Sequence, residues 1–108
     1  MKKTLRFKVL VLGNSHDYVI SKNGDVYVDS LVYFMQLCYN KERKKHQVIS
    51  TYYRETGKLL IEGSLPFCLA FIKGSVLTGL LIYELTFSNE RKKNLVPRFY
   101  RGKGLFRD

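Results

Sequence analysis

The sequence contains no tryptophan, and only two prolines and two cysteines occur among its 108 residues. Cys38 and Cys68 each lie inside an apolar run, FMQLCY and PFCLAF, so we expect buried free thiols rather than a disulfide framework. Near the N-terminus, Arg6 and Lys8 interrupt any apolar core that a secretory signal would need. These features predict a protein of the reducing cytoplasm.

Catalytic and metal-binding motifs are also missing: the chain has no CxxC, HExxH, P-loop or GxSxG pattern. We therefore expect no enzyme activity, no bound metal and no cofactor. One alternative is a metal-dependent nuclease, in which His16 would act with Asp17, Asp25 or Asp29 in acid–base chemistry. Against it, Asp25 is typical of a turn and Asp29 of a helix N-cap.

Acidic residues are scarce, with nine Asp and Glu against 19 Lys and Arg, which gives a net charge of +10 and a pI near 9.8. A single domain above pI 9 has the electrostatic character of a nucleic-acid-binding protein. What the chain does have is enough apolar sequence for a core, since 45% of it is hydrophobic and 14% aromatic. The composition predicts one folded domain with a polyanionic partner.

The first half of the chain has mostly β character. Alternating or continuous apolar residues predict strands over 4–12, 17–21 and 26–28, and Asn23-Gly24 indicates a hairpin turn between the last two. Asp29 or Ser30 followed by apolar residues at helical spacing predicts a helix over 30–44, although its residues are also good β-formers.

The second half predicts a hairpin of strands 47–53 and 58–62 and a short buried helix over 66–73, capped by Ser64 and ended by Gly74. The alternation in LLIYELTF predicts a further strand over 80–87. Because Lys73 divides the apolar stretch from Leu65 to Phe87, we expect two buried core elements there rather than a membrane span. The expected fold is α+β: an antiparallel sheet of about five strands with one or two helices on one face.

A basic and aromatic tail from about residue 91 is the strongest functional feature. Cations that track phosphates and rings that stack on bases are the combination that binds single-stranded nucleic acid. The predicted binding residues in it are Arg91, Lys92, Lys93, Arg98, Phe99, Tyr100, Arg101, Lys103, Phe106 and Arg107.

A second basic run, Lys41, Arg43, Lys44, Lys45 and His46, would extend the binding surface if it lay beside the tail. The N-terminal cations Lys2, Lys3, Arg6 and Lys8 would add to it. We expect a nucleic-acid partner, with single strands favoured over duplex. The alternative is a small interaction module that binds and inhibits an acidic surface of a host protein, because charge steering serves both partners equally.

Residues 57–66, GKLLIEGSLP, resemble a segment in the N-terminal part of replication initiation proteins of single-stranded DNA phages and related plasmids. The resemblance covers about a tenth of the chain and implies the DNA biology of a phage or mobile element. It transfers no catalytic residue, because the paired histidines of nicking replication proteins are missing. That family also continues with a basic and aromatic run, whereas 67–70 here read FCLA.

Overall fold

A computed structural model describes residues 3–90 of the chain. Six strands form one antiparallel sheet in which each strand pairs with the next along the chain, and one long helix follows them. The expected α+β fold is therefore confirmed, with six strands and one helix. The elements are β1 (Leu5–Val11), β2 (Asn14–Ile20), β3 (Asp25–Val28), β4 (Leu31–Asn40), β5 (Lys45–Ser50), β6 (Leu59–Gly63) and α1 (Leu65–Glu90).

The core lies between the inner face of the sheet and one side of α1. Successive side chains of a strand point to opposite faces of the sheet, so every second side chain faces the core. Ile20, Val28 and Val48 are fully buried there. From α1 the core receives a stripe of residues spaced by four, the period that keeps side chains on one face of a helix: Cys68, Ile72, Val76 and Leu80. α1 contacts β1 as well as β5 and β6, so the helix crosses the sheet from one edge strand to the other.

The turn between β2 and β3 is the one that Asn23-Gly24 predicts. Gly24 has a φ of +88°, in the left-handed region that a Cβ disfavours. Its carbonyl accepts a 2.8 Å hydrogen bond from the backbone N–H of Leu37, and a Cβ at Gly24 would collide with the Leu37 carbonyl oxygen. Glycine is thus required here both by conformation and by space.

The predicted helix over 30–44 is wrong, because these residues form β4. The β-branched and aromatic residues of this stretch pair with β3 on one side and β5 on the other. Asp29 and Ser30 have φ values of +48° and +69°, so they form the β3–β4 turn instead of capping a helix. Tertiary pairing therefore overrides a helical spacing of apolar residues that is only two turns long.

The predicted strand over 80–87 and the helix end at Gly74 are also wrong, because α1 continues without interruption from Leu65 to Glu90. Ser64 caps the helix as expected: its hydroxyl accepts a 3.3 Å hydrogen bond from the N–H of Phe67. Gly74 is tolerated mid-helix on an open surface, and Lys73 is exposed, so neither divides the apolar stretch. The expectation of two buried elements is corrected to one helix with a buried side and an exposed side.

Candidate nucleic-acid interface

The β4–β5 turn presents the first group of predicted binding residues. Lys41, Arg43, Lys44 and Lys45 are all exposed, and the turn is held by a 3.0 Å hydrogen bond from the N–H of Arg43 to the Asn40 side chain. Lys44 takes the left-handed conformation that reverses the chain, with a φ of +54°. The fold therefore holds these four cations together at one end of the sheet.

Arg43 differs from its neighbours because it is paired. Its Nε and Nη2 donate to the two carboxylate oxygens of Glu62 on β6, at 2.7 and 2.8 Å, and Gln47 donates to the same carboxylate at 2.7 Å. The Arg43 and Gln47 hydrogen bonds lower the pKa of Glu62 to about 2, while the pairing raises the pKa of Arg43. Because Arg43 shares its charge with Glu62, the turn offers phosphates chiefly its lysines.

The β4–β5 turn and the C-terminal end of α1, from which the tail continues, lie at opposite ends of the domain. In the sheet, Asn40 pairs with Lys45 and His46 pairs with Gly63, so α1 begins at the end that carries the β4–β5 turn. The other end of α1 lies by the β1–β2 turn, since Asn14 donates a 2.8 Å hydrogen bond to Glu84. About 30 Å of helix separates Leu65 from Glu84 at 1.5 Å per residue. The basic tail therefore follows the end of α1 that lies opposite the β4–β5 turn.

Charge is distributed unequally between the described domain and the segment that follows it. Residues 3–90 contain eleven Lys and Arg and eight Asp and Glu, whereas residues 91–108 contain seven Lys and Arg and a single acid, Asp108. The predicted binding residues from Arg91 to Arg107 lie outside the described residues. The described fold is thus close to neutral, and most of the net charge follows α1.

The N-terminal cations lie on the outer face of the sheet, away from α1. Arg6 and Lys8 are exposed on β1 and border an open groove of about 610 Å³, which Tyr27 and Asp17 also line. The ammonium of Lys8 lies 3.4 Å from the Asp17 carboxylate in a solvent-exposed ion pair, a type that contributes little to stability. These cations are accessible, but an acid already balances one of them.

A buried ionic cluster joins α1 to the sheet. His16 on β2 donates from Nδ1 to Asp29 at 2.6 Å and lies with Nε2 2.7 Å from Glu84 on α1. Asp29 also accepts a 3.0 Å hydrogen bond from the N–H of Asp17. His16 and Glu84 are each 8% exposed, so the cluster links three segments within the protein interior.

Protonation of His16 suits this cluster. Burial opposes the positive charge, but the hydrogen bonds and negative charges of Asp29 and Glu84 outweigh it and raise the pKa of His16. A protonated imidazole donates from both nitrogens, which satisfies both carboxylates. The cluster therefore acts as an ion bridge that fixes the far half of α1 against β2 and the β3–β4 turn.

The same geometry bears on the nuclease alternative. Asp29 does lie beside His16, but Asp25 hydrogen-bonds Gln36 and the side chain of Asp17 faces Lys8. Both nitrogens of His16 are occupied by carboxylates of the protein itself, so in this arrangement neither faces a ligand. Within residues 3–90 no group of three or more His, Cys, Asp or Glu side chains is placed to hold a metal ion.

Glu84 is the polar residue that sequence reasoning missed. It lies 68 positions from His16, and the predicted strand over 80–87 placed it on a polar outer face. The available signal was a single acid inside an otherwise apolar run, because a buried carboxylate requires a charged or hydrogen-bonding partner.

Comparisons of the chain with protein-family models, with curated proteins and with solved structures gave no match.

Proposed function

We propose that this chain is an intracellular, non-enzymatic nucleic-acid-binding protein in which a compact α+β domain presents a basic and aromatic C-terminal segment. The observation that carries the proposal is the unequal charge distribution. Seven of the 18 residues after residue 90 are Lys or Arg, interleaved with three aromatic rings, while the domain before them is close to neutral. Solubility alone does not require cations to be concentrated in one segment.

The chemistry of that segment favours single-stranded nucleic acid. Arg and Lys neutralise phosphates, and Phe99, Tyr100 and Phe106 supply rings for unpaired bases, at about 1–3 kcal/mol per stacked base. Lys41, Lys44 and Lys45 add a separate electrostatic contact at the other end of the domain. Because the β4–β5 turn and the end of α1 lie at opposite ends of the domain, we expect a strand long enough to reach both the turn and the tail to bind more tightly than a short one.

The resemblance of residues 57–66 to replication initiation proteins supports the same class of partner. In the fold this segment is the end of a turn, all of β6 and the capped start of α1, so it is a structural junction. Origin in a phage or mobile element is part of the proposal.

The test is a matched pair of charge-neutralised variants. The triple change Arg98→Gln, Arg101→Gln and Lys103→Gln removes three charges from the tail. The control makes the same change at three exposed cations of the domain that are not proposed contacts: Arg54, Lys58 and Lys73. Affinity for a fluorescent single-stranded oligonucleotide is measured by anisotropy at several salt concentrations.

We expect the tail variant to bind more weakly and to reduce the salt slope by about 0.7 for each phosphate that it no longer neutralises. The control should keep most of the affinity and slope of the wild type. Equal reductions of affinity in both variants would contradict a localised site, because binding would then depend only on the net charge of the protein. Absence of any binding at low salt would redirect the proposal to an acidic protein surface, which a pulldown from nuclease-treated lysate would test.

A further inference from the structure

The side of α1 that faces away from the sheet is apolar and uncovered. Phe67, Ile82 and Leu85 are exposed over about half of their surfaces (51%, 47% and 52%), and Leu81 over 40%. Ala70, Gly74 and Thr78 are also exposed and lie between them, and nothing lies within 4 Å of the position that a Cβ on Gly74 would take. Exposed apolar surface that is contiguous in this way marks a binding surface.

Helical periodicity shows that these residues form one face. At 3.6 residues per turn, Phe67, Gly74, Thr78, Leu81 and Leu85 all lie within about 40° of a common direction, opposite the buried stripe. This face of α1 has no charged residue, and Lys73 lies about 110° from its centre. A helix that is apolar on every side is found in a large core or in a membrane. Here the sheet covers only one of those sides.

The charges of the chain decide between the partners that could cover this face. A second copy would bring together two chains of net charge +10, which repel each other. An anionic lipid surface attracts that charge and also accepts apolar side chains. The lysines of the β4–β5 turn lie near the start of α1, and in the sequence Arg91, Lys92 and Lys93 follow its last residue.

The packing of α1 sets the orientation. Leu65–Thr86 has the length and composition of a helix that crosses a membrane. Packing against the sheet buries 28% of its most apolar part. Crossing the bilayer would strip Ile72, Val76 and Leu80 from the sheet and expose the pair of Glu84 and His16 to lipid. Lying in the interface, with the outer face toward the acyl chains, keeps every one of these contacts.

We infer that the outer face of α1 docks the domain in the plane of an anionic phospholipid bilayer, with the exposed lysines of the β4–β5 turn contacting the headgroups. The apolar residues that enter the bilayer are Phe67, Leu81, Ile82 and Leu85. This inference goes beyond nucleic-acid binding. The apolar face that enters the bilayer contains none of the proposed nucleic-acid contacts, and only the lysines of the β4–β5 turn belong to both proposals.

The experiment compares co-sedimentation of the full chain with phosphatidylglycerol vesicles and with phosphatidylcholine vesicles. The test variant is Leu81→Gln with Leu85→Gln, which keeps residues of good helix propensity. The control is Leu10→Gln with Leu12→Gln, which removes two apolar side chains that are even more exposed, 72% and 62%, near the end of β1 and in the β1–β2 turn. Circular dichroism verifies that both variants fold.

We expect wild type and control to bind phosphatidylglycerol vesicles, and the helix variant to bind about tenfold more weakly or worse, since the apolar face drives insertion. Phosphatidylcholine vesicles should retain little of any protein, and oligonucleotide affinity should not differ between the variants. Equal vesicle binding by helix variant and control would overturn the inference. So would a wild-type dimer in sedimentation equilibrium that becomes a monomer in the helix variant, because a second copy would then cover the face.

Discussion

The bridge between His16, Asp29 and Glu84 predicts a specific dependence of stability on pH. The pKa of His16 is raised in the folded state above its ordinary value of 6.5. Its stabilising charge is therefore fully present below pH 6.5 and disappears as the pH rises through the higher folded-state pKa. Above that pKa a neutral imidazole donates only one hydrogen bond, and the other nitrogen presents a lone pair to a carboxylate.

The change Glu84→Gln isolates this effect because it keeps the size of the side chain and removes its charge. A hydrogen bond to a charged group contributes about 1.5–3 kcal/mol and a neutral one about 0.5–1.5 kcal/mol, so the substitution should cost about 1–2 kcal/mol below pH 6.5. The cost should shrink at alkaline pH, where His16 is neutral in both proteins.

Urea denaturation followed by circular dichroism, at intervals between pH 5 and pH 9, measures both quantities. Glu55→Gln is the control, since Glu55 is exposed in the β5–β6 turn. The wild type should lose stability toward alkaline pH more steeply than Glu84→Gln. If the two proteins keep a constant difference in free energy of unfolding across this range, the bridge does not titrate and the reasoning is refuted.

Three further predictions concern the fold. Gly24→Ala should destabilise the domain in urea denaturation well beyond the roughly 1–3 kcal/mol expected for a left-handed backbone alone. Gly13 has a φ of +82° and open space around it, so Gly13→Ala should show only that smaller effect in the same assay. Ile72→Ala should cost about 2–5 kcal/mol by opening a cavity, whereas Ile82→Ala on the exposed side of α1 should cost little in the same assay. The depressed pKa of Glu62 stabilises the fold above pH 4.5, and this contribution disappears as the pH falls toward about 2, so Glu62→Gln should flatten the acid-denaturation curve.

Local signals in the sequence predicted the parts of the fold that local physics determines. The Asn23-Gly24 turn, the strand around β1 and the Ser64 cap each depend on a few adjacent residues, and each is present. The stretch that forms β4 has apolar residues at both helical and strand spacing, so only its pairing with β3 and β5 decides its structure. In 80–87, Leu81 and Leu85 lie on one side under either period, and α1 places both on its exposed face.

The candidate site was predictable to a similar extent. The β4–β5 turn is exposed, as its composition indicates. Its separation from the end of α1, where the tail begins, follows from strand directions that no local pattern specifies. Sequence proximity offered Asp17, Asp25 and Asp29 as neighbours of His16, and of these three it is Asp29 whose carboxylate contacts the His16 ring. Glu84 was not predictable as their partner, because that contact depends on how α1 packs across the sheet.

The most direct test of nucleic-acid binding is an anisotropy titration of the nuclease-treated wild-type chain with a single-stranded and a duplex oligonucleotide of equal length, at several salt concentrations. The proposed function predicts sub-micromolar binding with a steep salt dependence and tighter binding to the single strand. No binding at low salt, where even non-specific electrostatic attraction to phosphates is measurable, would contradict it.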